Sequence, residues 1–467
     1  MSDLFSMLRS SANTLQAYQT ALDISSDNVN NAQTPGWVRQ AAPLQALSFD
    51  PQNGAEGGVQ EIGPQSTRNE FAEAAVRQQS SAYGNSSQLS TSLDPIVSAF
   101  DVTGQTGVQP ALNALFQSFS AWSTTPGDPS AQTGVISAAG QLATAFQQTA
   151  SQIASVRTTV DGDLQTTVNT INQLTASIQK YNTTLSGQST PDPAVDAQLN
   201  SSLEQLSQLA NIQVLHQPDG TITVLANGQI PLVVGNHQYS LSVAPPSNPA
   251  GSANPTATPN AVILDGDGND VTSLITGGSL GALINVRNTV IPGLIGGPNV
   301  TGQLNQLAAQ VSTAVNGILA QGGGAPLFSV DPTSAVNAAS SISVAAGFQP
   351  SDLVAADPGP PPVSNGLALK LANLANDTTN GVQGQTLSGF FSSIAASVGS
   401  TLNQAKSNAT VNQQTLTQAQ NLRQQLSGVS LDTEALNVLQ LQRSYQAASK
   451  VITVVDELTQ TLIDMVQ

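Results

Sequence analysis

The chain has 467 residues, of which only 9% are charged and 4% aromatic. Its net charge of −17 excludes a cationic surface that could neutralise a run of phosphates, so we expect neither a nucleic-acid partner nor binding to an anionic membrane. The absence of cysteine excludes disulfides and thiolate chemistry, and the N-terminal segment lacks the unbroken apolar core of a secretory signal.

The first thirty residues predict a helix with a narrow apolar seam. Leu8, Leu15, Leu22 and Val29 repeat every seven residues, and Leu4 begins an interleaved rung of smaller side chains. This spacing is typical of a helix that supercoils around a partner helix.

A polar turn follows in the stretch NVNNAQTPGW, residues 28–37. Asn30 and Asn31 suit the left-handed geometry of a helix end, and Pro35 prevents the helix from continuing. We therefore expect Trp37 to begin an extended segment on the far side of a tight turn.

The middle of the chain alternates helical and strand-like patterns. Residues 41–66 are punctuated by glycine and proline, helical periodicity returns from residue 68, and the longest helix is predicted through 142–186. Between residues 212 and 243 the apolar period becomes two, with Asp219-Gly220 and Asn227-Gly228 as hairpin turns.

The last helix carries the strongest pattern, because two sets of apolar residues each repeat every seven residues on one face. The large members of this seam are Val438, Leu441, Tyr445, Ile452, Val455 and Leu462. Both ends of the chain therefore present seams of the kind that pair with each other.

Groups capable of catalysis or metal binding are few. His216 and His237 are the only histidines, and we interpret both as residues at strand edges. The stretch Asp265–Asp270 resembles the start of a calcium loop but has Asp270 where glycine is required and Thr276 where glutamate is required. We predict no enzyme activity, no metal site and no cofactor.

Two short motifs resemble a known signature. Residues 26–37 resemble the Asn-Asn-x-Ala-Asn-x-x-Thr-Pro-Gly-Tyr signature of bacterial flagellar axial proteins, the family of rod, hook and hook-associated subunits. The matching positions at the two ends of the chain are Asn28, Asn31, Thr34, Pro35, Gly36 and Trp37, and then Ser427, Gly428, Val429, Gln442, Tyr445 and Gln446.

Within that family the chain is most similar to the hook-associated subunits of the hook–filament junction. Arg39 and Gln40 resemble their pattern, whereas hook proteins usually carry lysine, and Ser427-Gly428-Val429 replaces the Ser-Asn-Val of hook proteins. Gln132 departs from the usual arginine, and the stretch 325–364 is shorter than the outer domain of many relatives.

The resemblance implies a structural subunit that is exported through the flagellar type III apparatus and polymerises at the distal end of the hook. Its implied partners are further copies of itself, the hook protein, the next junction protein and a flagellar export chaperone at the C-terminal helix. The alternatives are a hook or distal rod protein, a secreted coiled-coil adhesin or effector, and an enzyme carried on flagella.

The expected fold is mainly α with a smaller β part. We expect paired terminal helices that form an inner tube, a bundle of long helices, and a small β-rich outer region. The corresponding ranges are 1–40 with 430–467 for the pair, 41–210, 278–322 and 365–429 for the bundle, and 211–277 with 323–364 for the β-rich region.

Overall fold

A computed structural model describes residues 2–50, 55–100, 106–186, 192–248, 251–254, 256–332 and 334–466. This part of the chain is mainly helical with several small antiparallel sheets, which confirms the predicted fold class. The helices are α1 (Ser2–Asn30), α2 (Glu70–Ala99), α3 (Val108–Thr124), α4 (Pro129–Leu185), α5 (Pro193–Leu209), α6 (Gly278–Asn285), α7 (Ile291–Ile295), α8 (Gln303–Gln321), α9 (Ala338–Ser341), α10 (Gly366–Asn373), α11 (Leu387–Ser427) and α12 (Leu431–Val466).

The strands are short. They are β1 (Gln40–Ala41), β2 (Leu44–Ala46), β3 (Phe49–Asp50), β4 (Ala55–Glu56), β5 (Val59–Glu61), β6 (Gln65–Ser66), β7 (Ile212–His216), β8 (Ile222–Ala226), β9 (Ile230–Val234), β10 (His237–Gln238), β11 (Ser242–Val243), β12 (Ile263–Leu264), β13 (Phe328–Ser329) and β14 (Ser343–Val344). Strands β7 to β10 form one four-stranded sheet, and the other described sheets are two-stranded.

Helix α4 is the longest described helix, and most of the other helices and the four-stranded sheet pack against it. It runs for 57 residues from an N-cap at Asp128, whose side chain accepts a hydrogen bond from the Ser130 amide, with Pro129 at the first helical position. Its apolar residues Ile153, Leu164 and Ile178 are completely buried against neighbouring helices and strands.

Helices α2 and α11 form a long antiparallel pair beside α4. Asn412 donates to Ser86 Oγ (3.1 Å), and Thr415 donates to Gln79 Oε1 (3.0 Å), so the start of α2 lies beside the end of α11. The pair extends from the apolar core around Phe391, near the start of α11, to the end of α11, where the chain turns into α12.

The four-stranded sheet packs against the C-terminal half of α4. Asn227 and Gly228 both adopt positive φ (48° and 71°), which is the backbone geometry of a tight hairpin turn. The sheet order is β10-β9-β8-β7, so His216 on β7 and His237 on β10 lie on its two edge strands.

Three expectations from the sequence need correction. Residues 41–66 are not part of the bundle: their strands pair as β1–β6, β2–β5 and β3–β4 and pack on α1, where Ser10 Oγ donates to the Gly57 carbonyl (2.9 Å). The region 323–364 contains only one two-stranded sheet among its described residues. Its other described residues form turns, loops and the short helix α9.

The third correction concerns residues 367–467, where the sequence pattern predicts helix throughout, in the bundle up to residue 429 and in the terminal pair from 430. The chain leaves the helical state at residues 377–386 and again at Gly428–Ser430. The second break turns the chain from the bundle into α12.

Candidate assembly site at the terminal helices

Helices α1 and α12 pack against each other. The pair is antiparallel, because the end of α1 lies near the start of α12: Asn28 is hydrogen-bonded to Gln40, and the neighbouring Arg39 binds Glu434. On α12 the apolar seam faces α1: Val455 is only 4% exposed, and its other members except Leu462 are half-buried. This inner seam consists of Val438, Leu441, Tyr445, Ile452, Val455 and Leu462.

The buried side of α1 packs against two neighbours, helix α12 and the strands of residues 40–66. Its most deeply buried residues are small or polar, Ala17, Ala21, Ser25 and Asn28, where the helix lies between α12 and the strands of residues 40–66. The leucine ladder is less covered. Leu8, Leu15 and Leu22 are half-buried, Val29 is 40% exposed, and the side chain of Leu4 lies outside the described residues.

A second apolar stripe on α12 was not expected from the sequence. It runs along the uncovered sides of the helix. At 3.6 residues per turn, Leu436, Leu439 and Val454 point away from the inner seam, whereas Val451, Leu458 and Met465 lie beside it. This outer stripe consists of Leu436, Leu439, Val451, Val454, Leu458 and Met465, of which Leu436 is 68% exposed. Its members are three, four or seven residues apart except for a gap of twelve between Leu439 and Val451, and the stronger heptad pattern obscures it.

Asn28 fixes the return of the chain after α1. Its side-chain amide donates to the carbonyl oxygen of Gln40 and accepts from the Gln40 amide, both at 2.8 Å, and Asn28 is completely buried. The intervening turn is tied by Asn31, whose Oδ1 accepts from Thr34 Oγ1 (3.1 Å). Neither Asn30 nor Asn31 has positive φ, so the expected left-handed helix end is wrong.

Gly36 supplies the positive φ instead (+78°). A Cβ atom there would lie 2.1 Å from the carbonyl oxygen of Ala197, so the turn Thr34-Pro35-Gly36 presses directly onto α5. Trp37 follows, half-buried, with an indole Nε1 that has no hydrogen-bond partner among the described residues.

The two family motifs meet at Arg39 and Ser427. The Arg39 amide donates to the Ser427 carbonyl (2.9 Å), and the Asn69 amide donates to Ser427 Oγ (3.0 Å). The Arg39 guanidinium binds Glu434 of α12 at 2.6 Å, and the Glu434 side chain is fully buried. We call Asn28, Gly36, Arg39, Ser427 and Glu434 the joint, because they link α1 and α12 to the bundle.

A cluster of charged side chains lies under the joint. Arg68 binds Glu73 (2.6 Å) and Asp196 (2.7 Å) and donates to the Gly36 carbonyl (2.8 Å), while Arg423 binds Glu73 (3.1 Å). Burial lowers the pKa of the neighbouring Arg77, a shift that the negative charges of Glu70 and Glu73 oppose. The spacing of charged residues in the sequence does not predict this cluster, because its members come from α2, the loop before α2, α5 and α11.

The remaining family positions are distributed along these elements. Gly428 and Val429 form the break before α12, and Gln442 and Gln446 are exposed on α12. Gln40 forms β1 and is nearly buried.

The acidic stretch Asp265–Asp270 forms a closed turn. Asp265 accepts the amides of Asp267 (3.0 Å) and Asn269 (2.8 Å), and the side chain of Asn269 lowers the pKa of its carboxyl. No group of three or more His, Asp or Glu side chains in the described part of the chain could hold a metal ion, and no helix there is long and apolar enough to cross a membrane.

Comparison with known families places the chain among the flagellar proteins that the terminal motifs resemble, on the evidence of its middle region. The model of the flagellar hook-associated protein FlgK helical domain matches residues 93–326, which is half of the chain. The chain belongs to the FlgK family of flagellar hook-associated proteins. The ends match two further models, the flagella basal body rod protein at 8–37 and the flagellar basal body rod FlgEFG protein C-terminal region at 418–465.

Individual relatives agree with the family. Flagellar hook-associated protein 1 of Bacillus subtilis is 25% identical over 502 aligned residues that span 99% of both chains. The protein of the same name from Salmonella typhimurium is 27% identical over 61% of this chain and 52% of its own length. The hook junction protein FlgK from Burkholderia pseudomallei shares the fold, with a TM-score of 0.61, 18% identity and coverage of 76% of this chain and all of that chain.

These findings confirm the resemblance inferred from the sequence, and they favour a hook-associated protein over a hook or rod protein. The chain is therefore a structural component of the bacterial flagellum.

Proposed function

We propose that this chain polymerises at the distal end of the hook and forms the hook–filament junction, with α1 and α12 as its assembly elements. The observation that carries the proposal is the incomplete burial of α12. Its inner seam is mostly only half-covered by α1, and its outer stripe is uncovered within the described chain. Exposed apolar stripes of this length are expected to be buried by association.

The geometry of the joint supports the same role. A tube of helices requires each subunit to present its terminal pair at a fixed angle to its outer domains. The clamp of Asn28 on Gln40, the close contact of Gly36 with α5 and the buried Arg39–Glu434 pair fix that angle. In this proposal the turn redirects the chain from the inner tube to the surrounding layer.

The proposed partners are further copies of this chain, the hook protein below it and the next junction protein above it. Before export, a dedicated flagellar chaperone covers α12. The outer stripe is the surface accessible to it without separating α12 from α1. Replacing Val454 and Leu458 by serine should then weaken co-purification of the chaperone with the chain, whereas serine at the exposed polar positions Gln442 and Gln446 should not.

The function is tested by electron microscopy of a strain that lacks this chain. We expect hooks without filaments and flagellin lost to the medium, and the wild-type chain should restore filaments. The variant Ile452→Asp should not restore them, because an unpaired carboxylate in a half-buried apolar seam costs several kcal/mol. Ile452→Val, which keeps an apolar side chain in the seam, is the matched control and should restore them. Filaments in the deletion strain would contradict the junction role.

A further inference from the structure

The side of α12 turned away from α1 carries a regular line of charges. Arg443, Lys450, Glu457 and Asp464 follow one another at seven-residue intervals, so they lie along one side of the helix. All four side chains are exposed, and none of them forms an ion pair among the described residues. In a chain with 12 lysines and arginines, two unpaired cations on one helix face are a notable concentration.

The free side of α1 carries a matching set. Arg9, Asp23 and Asp27 are exposed on the side away from the buried positions Ala17 and Ala21. Arg9 and Asp23 are the two whose spacing matches charges on α12. They are two heptads apart, about 21 Å along a helix, and Arg443 and Glu457 have the same separation. On both helices the cation precedes the anion.

This order specifies one relative orientation. A parallel alignment of the two faces places Arg9 beside Arg443 and Asp23 beside Glu457, which is repulsive. An antiparallel alignment places Asp23 beside Arg443 and Arg9 beside Glu457, so both pairs are attractive. This register lies within about one turn of the one inside the subunit, where Ala21 and Leu441 line the same cavity.

We propose that the free face of α1 in one copy docks, antiparallel, on the charged line of α12 in an adjacent copy at nearly the same axial level. Asp23 pairs with Arg443, Arg9 pairs with Glu457, and parts of the outer stripe flank the contact. The occupant is a second copy of this chain because both halves of the complementary pattern are present in one sequence. The inference rests on the proposed function and specifies its lateral contact.

The absence of cysteine makes a direct test possible. Two differently tagged chains, Asp23→Cys and Arg443→Cys, are expressed together in the deletion strain, and isolated flagella are oxidised. We expect a disulfide-linked dimer that carries both tags, which can form only between copies. The pair Asp23→Cys with Lys450→Cys, in which the second cysteine is displaced by one heptad, should give several-fold less disulfide-linked dimer. A stronger product from the Lys450 pair, or no dimer in flagella that contain both chains, would overturn the proposed contact.

Charge exchange tests the energetics separately. Arg443→Asp and Asp23→Arg should each reduce swarming and filament attachment several-fold, and the two changes in one chain should restore them. Lys180→Asp, an exposed cation on α4, is the control for net charge and should have no effect. Thermal unfolding of the purified variants should match that of the wild type. Loss of function without restoration in the double variant would contradict the pairing. If the wild-type chain itself is absent from isolated flagella, the proposed function fails, whatever the variants do.

Discussion

At the scale of single residues, buried and half-buried asparagines connect separate segments of this chain. Five of them use the side-chain amide both to donate to a carbonyl and to accept from an N–H of the same residue on another segment. The pairs are Asn28 with Gln40, Asn172 with Leu241, Asn182 with Ile222, Asn288 with Ala261, and Asn316 with Phe328. An amide satisfies both backbone groups without burying a charge, which suits a chain that is only 9% charged.

The clamp at the joint gives a first prediction. Asn28→Ala leaves the donor and acceptor of Gln40 unpaired in a buried site, at a cost of ~1–3 kcal/mol for each group. We expect faster hydrogen exchange of the Gln40 amide and a lower midpoint for unfolding of the terminal pair. Asn31→Ala, which removes only hydrogen bonds within its own turn, should change both by much less. Equal effects would mean that the clamp does not stabilise the joint.

A second prediction separates backbone strain from steric contact at glycine. Gly36 (φ +78°) and Gly63 (φ +97°) both have positive φ, but only Gly36 is pressed against another helix, and a Cβ at Gly63 meets nothing within 4 Å. Gly63→Ala should therefore cost only the strain, ~1–2 kcal/mol. Gly36→Ala should cost more and displace the turn from α5. Urea unfolding of both variants measures the difference, and equal losses would contradict the close contact.

At the scale of elements, α12 is a helix with two sets of apolar residues that differ in burial. The inner seam is partly covered by α1 within the subunit, whereas the outer stripe remains exposed. A helix pair with seams this thin gains little stability by itself, since most helical stability in proteins comes from tertiary packing. If the proposed assembly is correct, we therefore expect full order of the terminal pair to depend on neighbouring subunits.

Two adjacent valines test this division. Val455 is 4% exposed and Val454 is 53% exposed, so the same substitution acts on different interfaces. Val455→Ala should destabilise the pairing of α1 and α12 in the monomer by ~1–2 kcal/mol, measured by hydrogen exchange. Val454→Ala should leave the monomer unchanged and reduce filament attachment. If protection from hydrogen exchange in the monomer falls in both variants, the side of α12 that contains Val454 is not free in the subunit, and the division is contradicted.

At the scale of the whole molecule, one charged cluster joins the assembly elements to the bundle. Glu73 is 3% exposed and accepts hydrogen bonds from Arg68 and Arg423, which also bind Asp196 and Glu204. Helices α2, α5 and α11 and the loop that holds Gly36 meet at this point. The angle of the terminal pair is thus set by contacts among segments that are far apart in sequence.

Glu73→Gln should weaken this connection strongly. The substitution leaves the guanidinium groups of Arg68, Arg77 and Arg423 close together with one fewer buried anion, and breaking a buried pair costs ~3–5 kcal/mol. We expect a lower thermal midpoint for the bundle and loss of filament attachment. Glu70→Gln, on the same turn of α2 but half-exposed, should have little effect. Similar midpoints for the two variants would contradict a structural role of the cluster.

The sequence by itself determined the helical class, the hairpin turns and the family, because these depend on local periodicity, on glycine at positive φ and on short contiguous motifs. It also located the inner seam of α12, since a heptad repeat is written along one element. It did not determine that residues 41–66 pack on α1, that α12 has a second exposed stripe, or that Arg68, Glu73 and Arg423 meet. Those features arise when segments tens to hundreds of residues apart come together, and burial and ion pairing depend on that arrangement rather than on spacing along the chain.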